Sequence, residues 1–423
     1  MDDASTASNK LKASVGASRS KLWIRRKVLQ HLSKINDGRL VVSDPLGVIE
    51  CGNQSSDIQV NIRVDTLDFY QQVALQGSIG VAESYMKQEW KVDSLTDLIR
   101  LFVRNRNLLD DMESGTAWLK NQILKLWHLF NKNNVAGSRK NIAAHYDLGN
   151  DFFELFLDDY LMYSSAIYTP SCANLQQASE LKLKTICEKL DLQACDEVIE
   201  IGTGWGGFAI YAAKHYGCKI TTTTISEQQY QYAKQRVKAE GLSQKITVLK
   251  QDYRNLRGQY DKLVSIEMIE AVGHHYLNTY ITQCNDLLKE DGLALIQAIT
   301  IEDVRYEKAL KSVDFIKRYI FPGSFIPCVS AITHSAAKNS QLRLINLEDF
   351  GESYAKTLRD WRIRFLQNID AVRELGFNES FIRMWEFYLC YCEGGFLEKA
   401  ISDTHLLFAK PKNMRKQWLG LTQ

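Results

Sequence analysis

The chain has 423 residues, 45% hydrophobic and 24% charged, with a net charge of +2. That composition supplies ample core and leads to an expectation of two domains. A charge so close to neutral argues against a dedicated nucleic-acid binder. Nine cysteines without C-x-x-C spacing read as reduced, cytosolic thiols rather than a disulfide frame or a zinc site, and no run of about 18 apolar residues offers a membrane span.

Residues 1–20 are rich in Ser, Ala and Lys, carry almost no bulky apolar side chain, and read as disordered. From Lys21 to Ile35 the apolar positions Ile24, Val28 and Leu32 recur every four residues, with Arg25, Arg26, Lys27 and Lys34 between them and Trp23 near the start. This is a basic amphipathic helix, whose apolar face serves either its own domain's core or a membrane surface. Short alternating runs at Arg39–Val42, Gly47–Glu50 and Ile58–Ile62 predict a small antiparallel sheet. Helical periodicity returns at Leu67–Gln76, at Leu95–Asn107 and at the aromatic stretch Trp118–Phe130, a core helix by composition. The polar, aperiodic Asn131–Arg139 reads as a linker.

Ile142–Tyr168 is dense in side chains that hydrogen-bond and precedes a helix at Gln176–Leu190, a position from which it can close over a ligand as a lid. Val198, Ile199 and Ile201 then lead through Glu200 into Gly202, Gly204, Gly206 and Gly207 and an amphipathic helix, and Lys219–Ile225 supplies a second strand. Strand, glycine turn and helix place free N–H groups against a ligand. The letters fit the dinucleotide pattern G-x-G-x-x-G, which is weak by itself. A dinucleotide enzyme wants an acid at the end of the second strand, where this chain has Thr221, Thr222, Thr223 and Thr224. Its acid is Glu200, ahead of the glycines, which favours a class I methyltransferase using S-adenosylmethionine. Further strands are predicted at Ile246–Leu249, Tyr260–Ile266, Leu293–Ile299 and His405–Ala409. Asp252 or its neighbour Tyr253 suits an adenine amino group, and Glu267 and Glu270 come just past the fourth strand, where chemistry is usually placed. The long aromatic insertion before the last strand is where a substrate pocket is expected.

With these residues in view, the chain closely resembles the cyclopropane-fatty-acid synthase family of lipid methyltransferases, over about residues 141–410 and, more loosely, 38–110. The resemblance rests on AHYDLGNDFF, MYSSAIY, EIGTGWGG, TTISEQQ, QDYR, SIEMIEAVG, RYIFPG, FGESY and YCEGGF, in that order. It implies an α/β, class I S-adenosylmethionine-dependent methyltransferase sheet of Rossmann-like type with a helical lid and insertion, plus a smaller α+β N-terminal domain. The implied domains are a lipid-docking 21–135 and a catalytic 136–423. For the cofactor the resemblance implies Tyr163, Ser164, Gly202, Gly204, Thr224, Ile225, Gln229, Asp252 and Tyr253.

The family adds the sulfonium methyl to a cis double bond of a phospholipid acyl chain, and bicarbonate takes the proton. Its bicarbonate cradle falls here on Ser165, Glu270, Gln297, Ile299 and Tyr354, with Ser165 standing for a cysteine and Gln297 for a histidine. A glutamine cannot carry the proton or charge of a histidine. The methyl-transfer half is therefore expected intact, while bicarbonate, and with it a cyclopropane rather than a methyl-branched or methylene product, is left open. Phe325, Tyr319, Trp361 and Phe365 are candidates to wall water out of the pocket. The expected setting is cytoplasmic, peripheral to the inner face of a phospholipid bilayer whose unsaturated acyl chains are the substrate, with no nucleic-acid partner and a homodimer left open. A non-catalytic lipid-binding homologue and a small-molecule methyltransferase are the competing readings.

Overall fold

The structure, a computed structural model, describes residues 19–107 and 148–416. The predicted helix Trp118–Phe130, the linker Asn131–Arg139, the cluster His145–Asp147 and nearly all of the segment read as disordered lie outside the described residues. Two compact units emerge. One gathers the N-terminal residues with 312–318 and 369–400, and the other holds the remainder of the chain from residue 128 onward.

In the first unit, strands β1 (Arg39–Asp44), β2 (Gly47–Gly52), β3 (Gln59–Val64) and β4 (Trp90–Val92) form a sheet in the order β2-β1-β3-β4. Strand β3 alternates strictly, burying Val60, Ile62 and Val64 and exposing the residues between them, as a sheet with one covered face requires. The expected all-antiparallel pairing is corrected at one place: β1 and β3 run parallel, Leu40 opposite Val60 and Val42 opposite Ile62. A hairpin turn at Pro45–Leu46 reverses the chain into β2, but the longer return through Gly52–Ile58 brings β3 up on the other side of β1 in the same direction. The helix Arg19–Leu32 buries Val28, Leu29 and Leu32. Arg25 on it is drawn to the buried Asp44, Nε to Oδ2 at 2.6 Å, a carboxylate that the Tyr70 hydroxyl also reaches. The helix Glu379–Leu397 completes this unit, with Glu386 accepting from the Tyr85 hydroxyl at 2.8 Å and Glu393 from Thr96 at 3.0 Å.

The second unit is built on a seven-stranded sheet in the order β10-β11-β9-β8-β5-β6-β7. Its strands are β5 (Glu197–Ile201), β6 (Lys219–Thr224), β7 (Ile246–Lys250), β8 (Tyr260–Ile266), β9 (Leu288–Ile301), β10 (Arg343–Asp349) and β11 (Ile401–Ala409). Strands β7, β6, β5, β8 and β9 are parallel, and β11 runs against both β9 and β10. Apolar runs such as Leu293–Ile296 are fully buried, which marks a sheet covered on both faces. The chain winds outward from β5 in both directions, so the crevice at the C-terminal ends of β5, β6 and β8 is the topological switch point. That crevice positions everything that follows.

Candidate active site

At the C-terminal end of β5 the backbone turns through three glycines with positive φ, Gly202 at 103°, Gly204 at 52° and Gly206 at 86°, before the helix Gly207–Tyr216 begins. A side chain at Gly204 would meet no heavy atom within 4 Å, so this turn is open on the side where a ligand lies against the helix N-terminus. Gly207 answers a different demand: a Cβ there would stand 2.4 Å from the Tyr160 carbonyl oxygen. The segment 148–168 thus lies directly over the turn, with Phe152, Phe153 and Phe156 fully buried and Asn150 accepting from the Trp205 indole at 2.8 Å. This is the expected cover, fixed by packing. Within it the Tyr163 ring sits against Phe153 and Trp361, at 5.2 and 5.3 Å between centroids.

Beside the turn, the Thr224 hydroxyl donates to Gln229 at 2.9 Å and accepts from the Ser226 N–H, all three residues being buried, with Ile225 between them partly exposed. Neutral groups replace a ribose-binding acid at the end of β6. Glu200, on β5, is instead buried beneath the turn and accepts from the Thr222 hydroxyl. Burial pushes its carboxyl up to about 8 against the pull of Thr222 and Lys182. After β7, the buried Asp252 carboxylate is gripped by Arg254, Nη2 to Oδ2 at 2.6 Å, and the Tyr253 hydroxyl is buried with no hydrogen-bond partner among the described residues. An open glycine turn, a neutral Thr–Gln pair and a fixed acid suit a cofactor with an adenosine and a sulfonium group.

The carboxyl cluster lies past β8. Glu267 adopts φ 47°, is partly buried, and accepts three hydrogen bonds: Ser165 N–H at 2.7 Å and Gln297 Nε2 at 2.8 Å on Oε1, Tyr354 Oη at 2.6 Å on Oε2. Gln297, on β9, is itself fully buried, and its Nε2 also reaches Asp403 Oδ2 on β11 at 2.8 Å. Its Oε1 faces His405 Nε2 at 3.3 Å, and His405 Nδ1 faces Lys189 Nζ at 3.1 Å. Glu270, in the short helix Ile269–Val272, accepts from the Ile299 N–H at 2.6 Å through Oε1, while Oε2 is buried with no partner among the described residues. Burial, then the charge of Glu267, push the Glu270 carboxyl up to about 8. Lys182 lies fully buried behind the cluster, bonded to the Ser164 hydroxyl at 2.7 Å. Desolvation lowers its ammonium to about 8 despite Glu267, Asp158, Asp403 and Glu200.

Comparison with known proteins decides the family. The family profile described as mycolic acid cyclopropane synthetase matches residues 134–406. The tuberculostearic acid methyltransferase UfaA1 of Mycobacterium tuberculosis is 35% identical over 365 residues, 85% of this chain and 84% of that one. The cyclopropane-fatty-acyl-phospholipid synthase of Escherichia coli is 35% identical over 362 residues, 83% of this chain and 88% of that one. The chain belongs to the mycolic acid cyclopropane synthetase family. Among solved structures, the mycolic acid cyclopropane synthase CmaA1 bound to S-adenosylhomocysteine and CTAB superposes with a TM-score of 0.60 at 27% identity, covering 64% of this chain and 98% of that one. As a member of the family, the protein is an S-adenosylmethionine-dependent methyltransferase of class I fold.

The five candidates for the base site come together: Ser165, Gln297 and Tyr354 around Glu267, and Ile299 against Glu270. Ser165 and Ile299 take part through backbone N–H groups. Among the aromatic candidates, Trp361 is wholly buried between Tyr163 and Tyr354, at 5.3 and 6.2 Å. Phe365 packs on Phe152 and Phe156, and Phe325 joins the core under β8 and β9, its N–H on the Glu270 carbonyl. The sequence reading missed Asp403, Lys182 and His405, and it placed Glu267 beside Glu270 where chemistry is expected without giving it a specific part in the base site. Two acids three residues apart in SIEMIE were the available signal for Glu267. No local signal marks Asp403, whose side-chain partner Gln297 lies more than 100 residues away.

Proposed function

We propose that this methyltransferase adds a one-carbon unit to the cis double bond of unsaturated phospholipid acyl chains and removes the proton with a protein carboxylate, Glu270, rather than with bicarbonate. S-adenosylmethionine, held by Tyr163, Ser164, the turn from Gly202 to Gly204, Thr224, Ile225, Gln229, Asp252 and Tyr253, supplies an electrophilic methyl: the C–S pair stays on sulfur and the alkene π pair makes the new C–C bond. The cationic chain then sheds a proton from the new methyl group: the C–H pair closes a cyclopropane ring when the charge stays on the neighbouring carbon, or a methylene double bond when a hydride first shifts from the methyl-bearing carbon to that neighbour.

One observation carries the choice of base. The donors that the resemblance gives to bicarbonate, at Ser165, Gln297 and Tyr354, all point at Glu267, so an anion belonging to the protein fills that cradle and bicarbonate does not fit there. Three hydrogen bonds leave Glu267 a saturated anion, suited to stabilising positive charge nearby. Glu270 has the opposite character: one oxygen pinned by Ile299, one buried oxygen with no partner among the described residues, and a carboxyl pushed up to about 8, which is a base matched to neutral conditions. Trp361, wholly buried beside Tyr354, excludes water that would trap the cation as an alcohol. Lipid substrates are favoured by the relatives, one named for tuberculostearic acid and one for fatty-acyl phospholipids. The first unit, with its basic helix, is read as the part that docks on the cytoplasmic face of the bilayer.

With vesicles of a cis-monounsaturated phospholipid, Glu270→Gln is expected to lower turnover by a factor on the order of 10² to 10⁴, the usual worth of a general base. Its affinity for S-adenosylmethionine by calorimetry should be nearly unchanged. Turnover close to wild type in that variant would remove Glu270 as the base. A product with no added CH2 from the wild-type protein would remove the function itself.

A further inference from the structure

We propose that Asp403 is a positioning residue for the anion at the centre of this site: a neutral carboxyl paired with Glu267, the two being tied together by the side-chain amide of Gln297. The inference rests on the reading of Glu267 as a fixed anion and extends it to a residue on the last strand.

The argument begins from hydrogen-bond valence. The Gln297 amide has two N–H groups and uses them on Glu267 Oε1 and Asp403 Oδ2, each at 2.8 Å. Which way the amide faces is fixed by a directional chain from the other end. Lys189 carries only donors, so at 3.1 Å it makes His405 Nδ1 an acceptor. That leaves the imidazole proton on Nε2, which can only donate to Gln297 Oε1 at 3.3 Å. Lys189 in turn is held by Glu348. The NH2 end of Gln297 is therefore forced toward the two acids.

Those acids are held on one amide nitrogen, each 2.8 Å from Gln297 Nε2, and two carboxylates gathered so closely in a buried site disfavour each other's ionisation, so the pair keeps one proton. Glu267 receives three donors and has the buried Lys182 nearby. Asp403 receives Gln297 and the Thr404 N–H, and is completely buried. The proton accordingly sits on Asp403, whose carboxyl is held well above the usual range by burial and by the charge of Glu267. The titratable and charged groups around it are Glu267, Glu270 and Lys182, with Tyr354 across Glu267 and His405 two residues along β11. A neutral Asp403 keeps the pair at a single negative charge while fixing the face that Glu267 turns to the pocket.

Exchanging each carboxyl for its amide tests this, with the inflection on the rising limb of kcat/KM near pH 8, assigned to Glu270, as a reporter of nearby charge. Glu267→Gln removes a like charge and should move that inflection down by about one pH unit or more. Asp403→Asn replaces a neutral group with a neutral group and should leave it in place. Asp403→Leu, which cannot hold Gln297, should have a kcat about tenfold or more below that of Asp403→Asn, roughly the loss of one buried hydrogen bond to a charged group. Should the leucine variant not fold, as judged by its calorimetric affinity for S-adenosylmethionine, the asparagine profile decides alone. A downward shift in Asp403→Asn as large as that in Glu267→Gln would show Asp403 charged and overturn the proposal, and so would a leucine variant as fast as the asparagine one. If instead Glu267→Gln leaves the inflection unmoved, it is the underlying reading of Glu267 as the anion that fails.

Discussion

Glu267 and Glu270 stand three residues apart, both partly buried, and chemically opposed. Every oxygen of Glu267 is engaged, whereas one oxygen of Glu270 is buried with no partner among the described residues. On the proposed reading, that difference gives one the role of fixed charge and the other that of proton acceptor. It also sets a pH dependence. An acid raised by burial to about 8 is mostly protonated at pH 7, so a base at this position gains activity as pH rises through that value. We expect kcat/KM to climb tenfold per unit below about 8 and to level above it, with the inflection in kcat lying lower because a neighbouring sulfonium charge favours the carboxylate. A profile flat between pH 6 and 9 would contradict this. Both glutamates were visible in the sequence, but which of them is the saturated one was not. That distinction depends on Ser165, Gln297 and Tyr354 converging from three distant elements.

At the level of elements, the helix Arg19–Leu32 shows where periodicity alone stops. Its apolar stripe is core, since Val28, Leu29 and Leu32 are buried. Its basic residues divide: Arg25 is committed to Asp44, while Arg26 and Lys27 are exposed and Trp23 is 62% exposed. Exposed basic residues near an anionic bilayer contribute about 1 kcal/mol each. Combining Trp23→Ala with Arg26→Gln and Lys27→Gln should therefore reduce co-sedimentation with anionic vesicles at low salt and leave thermal unfolding in place, because Arg25 is spared. Undiminished sedimentation would assign this helix to the core alone. The central strands were legible because a covered parallel sheet demands unbroken apolar runs, and Tyr260–Ile266 falls where the pattern put it. Strand β10 was not, because its residues at the sheet edge are mostly exposed and show no alternation. The pairing of β1 with β3 escaped for a related reason: strand patterns give the buried face, and the direction of a neighbour comes from the connection between them.

For the whole molecule, a parallel sheet with its switch point at β5 brings the glycine turn, the covering segment and the carboxyl cluster to one crevice, although the residues concerned run from Ser164 to Asp403. The cofactor half of that crevice was readable in linear motifs because its contacts are local to two strand ends. The half proposed to remove the proton was only partly readable, since it is assembled from the stretch just past β8, the helix Ile269–Val272, strands β9 and β11, and the helix Gly351–Gln367. The central claim is that this half works with its own carboxylates. Its most direct test is turnover of cis-monounsaturated phospholipid vesicles by the purified protein with S-adenosylmethionine, in buffer stripped of carbon dioxide and again with bicarbonate added, with the lipids read by mass spectrometry. The account predicts acyl chains heavier by one CH2 at the same rate in both buffers. A rate that collapses without bicarbonate and returns when it is added would contradict it.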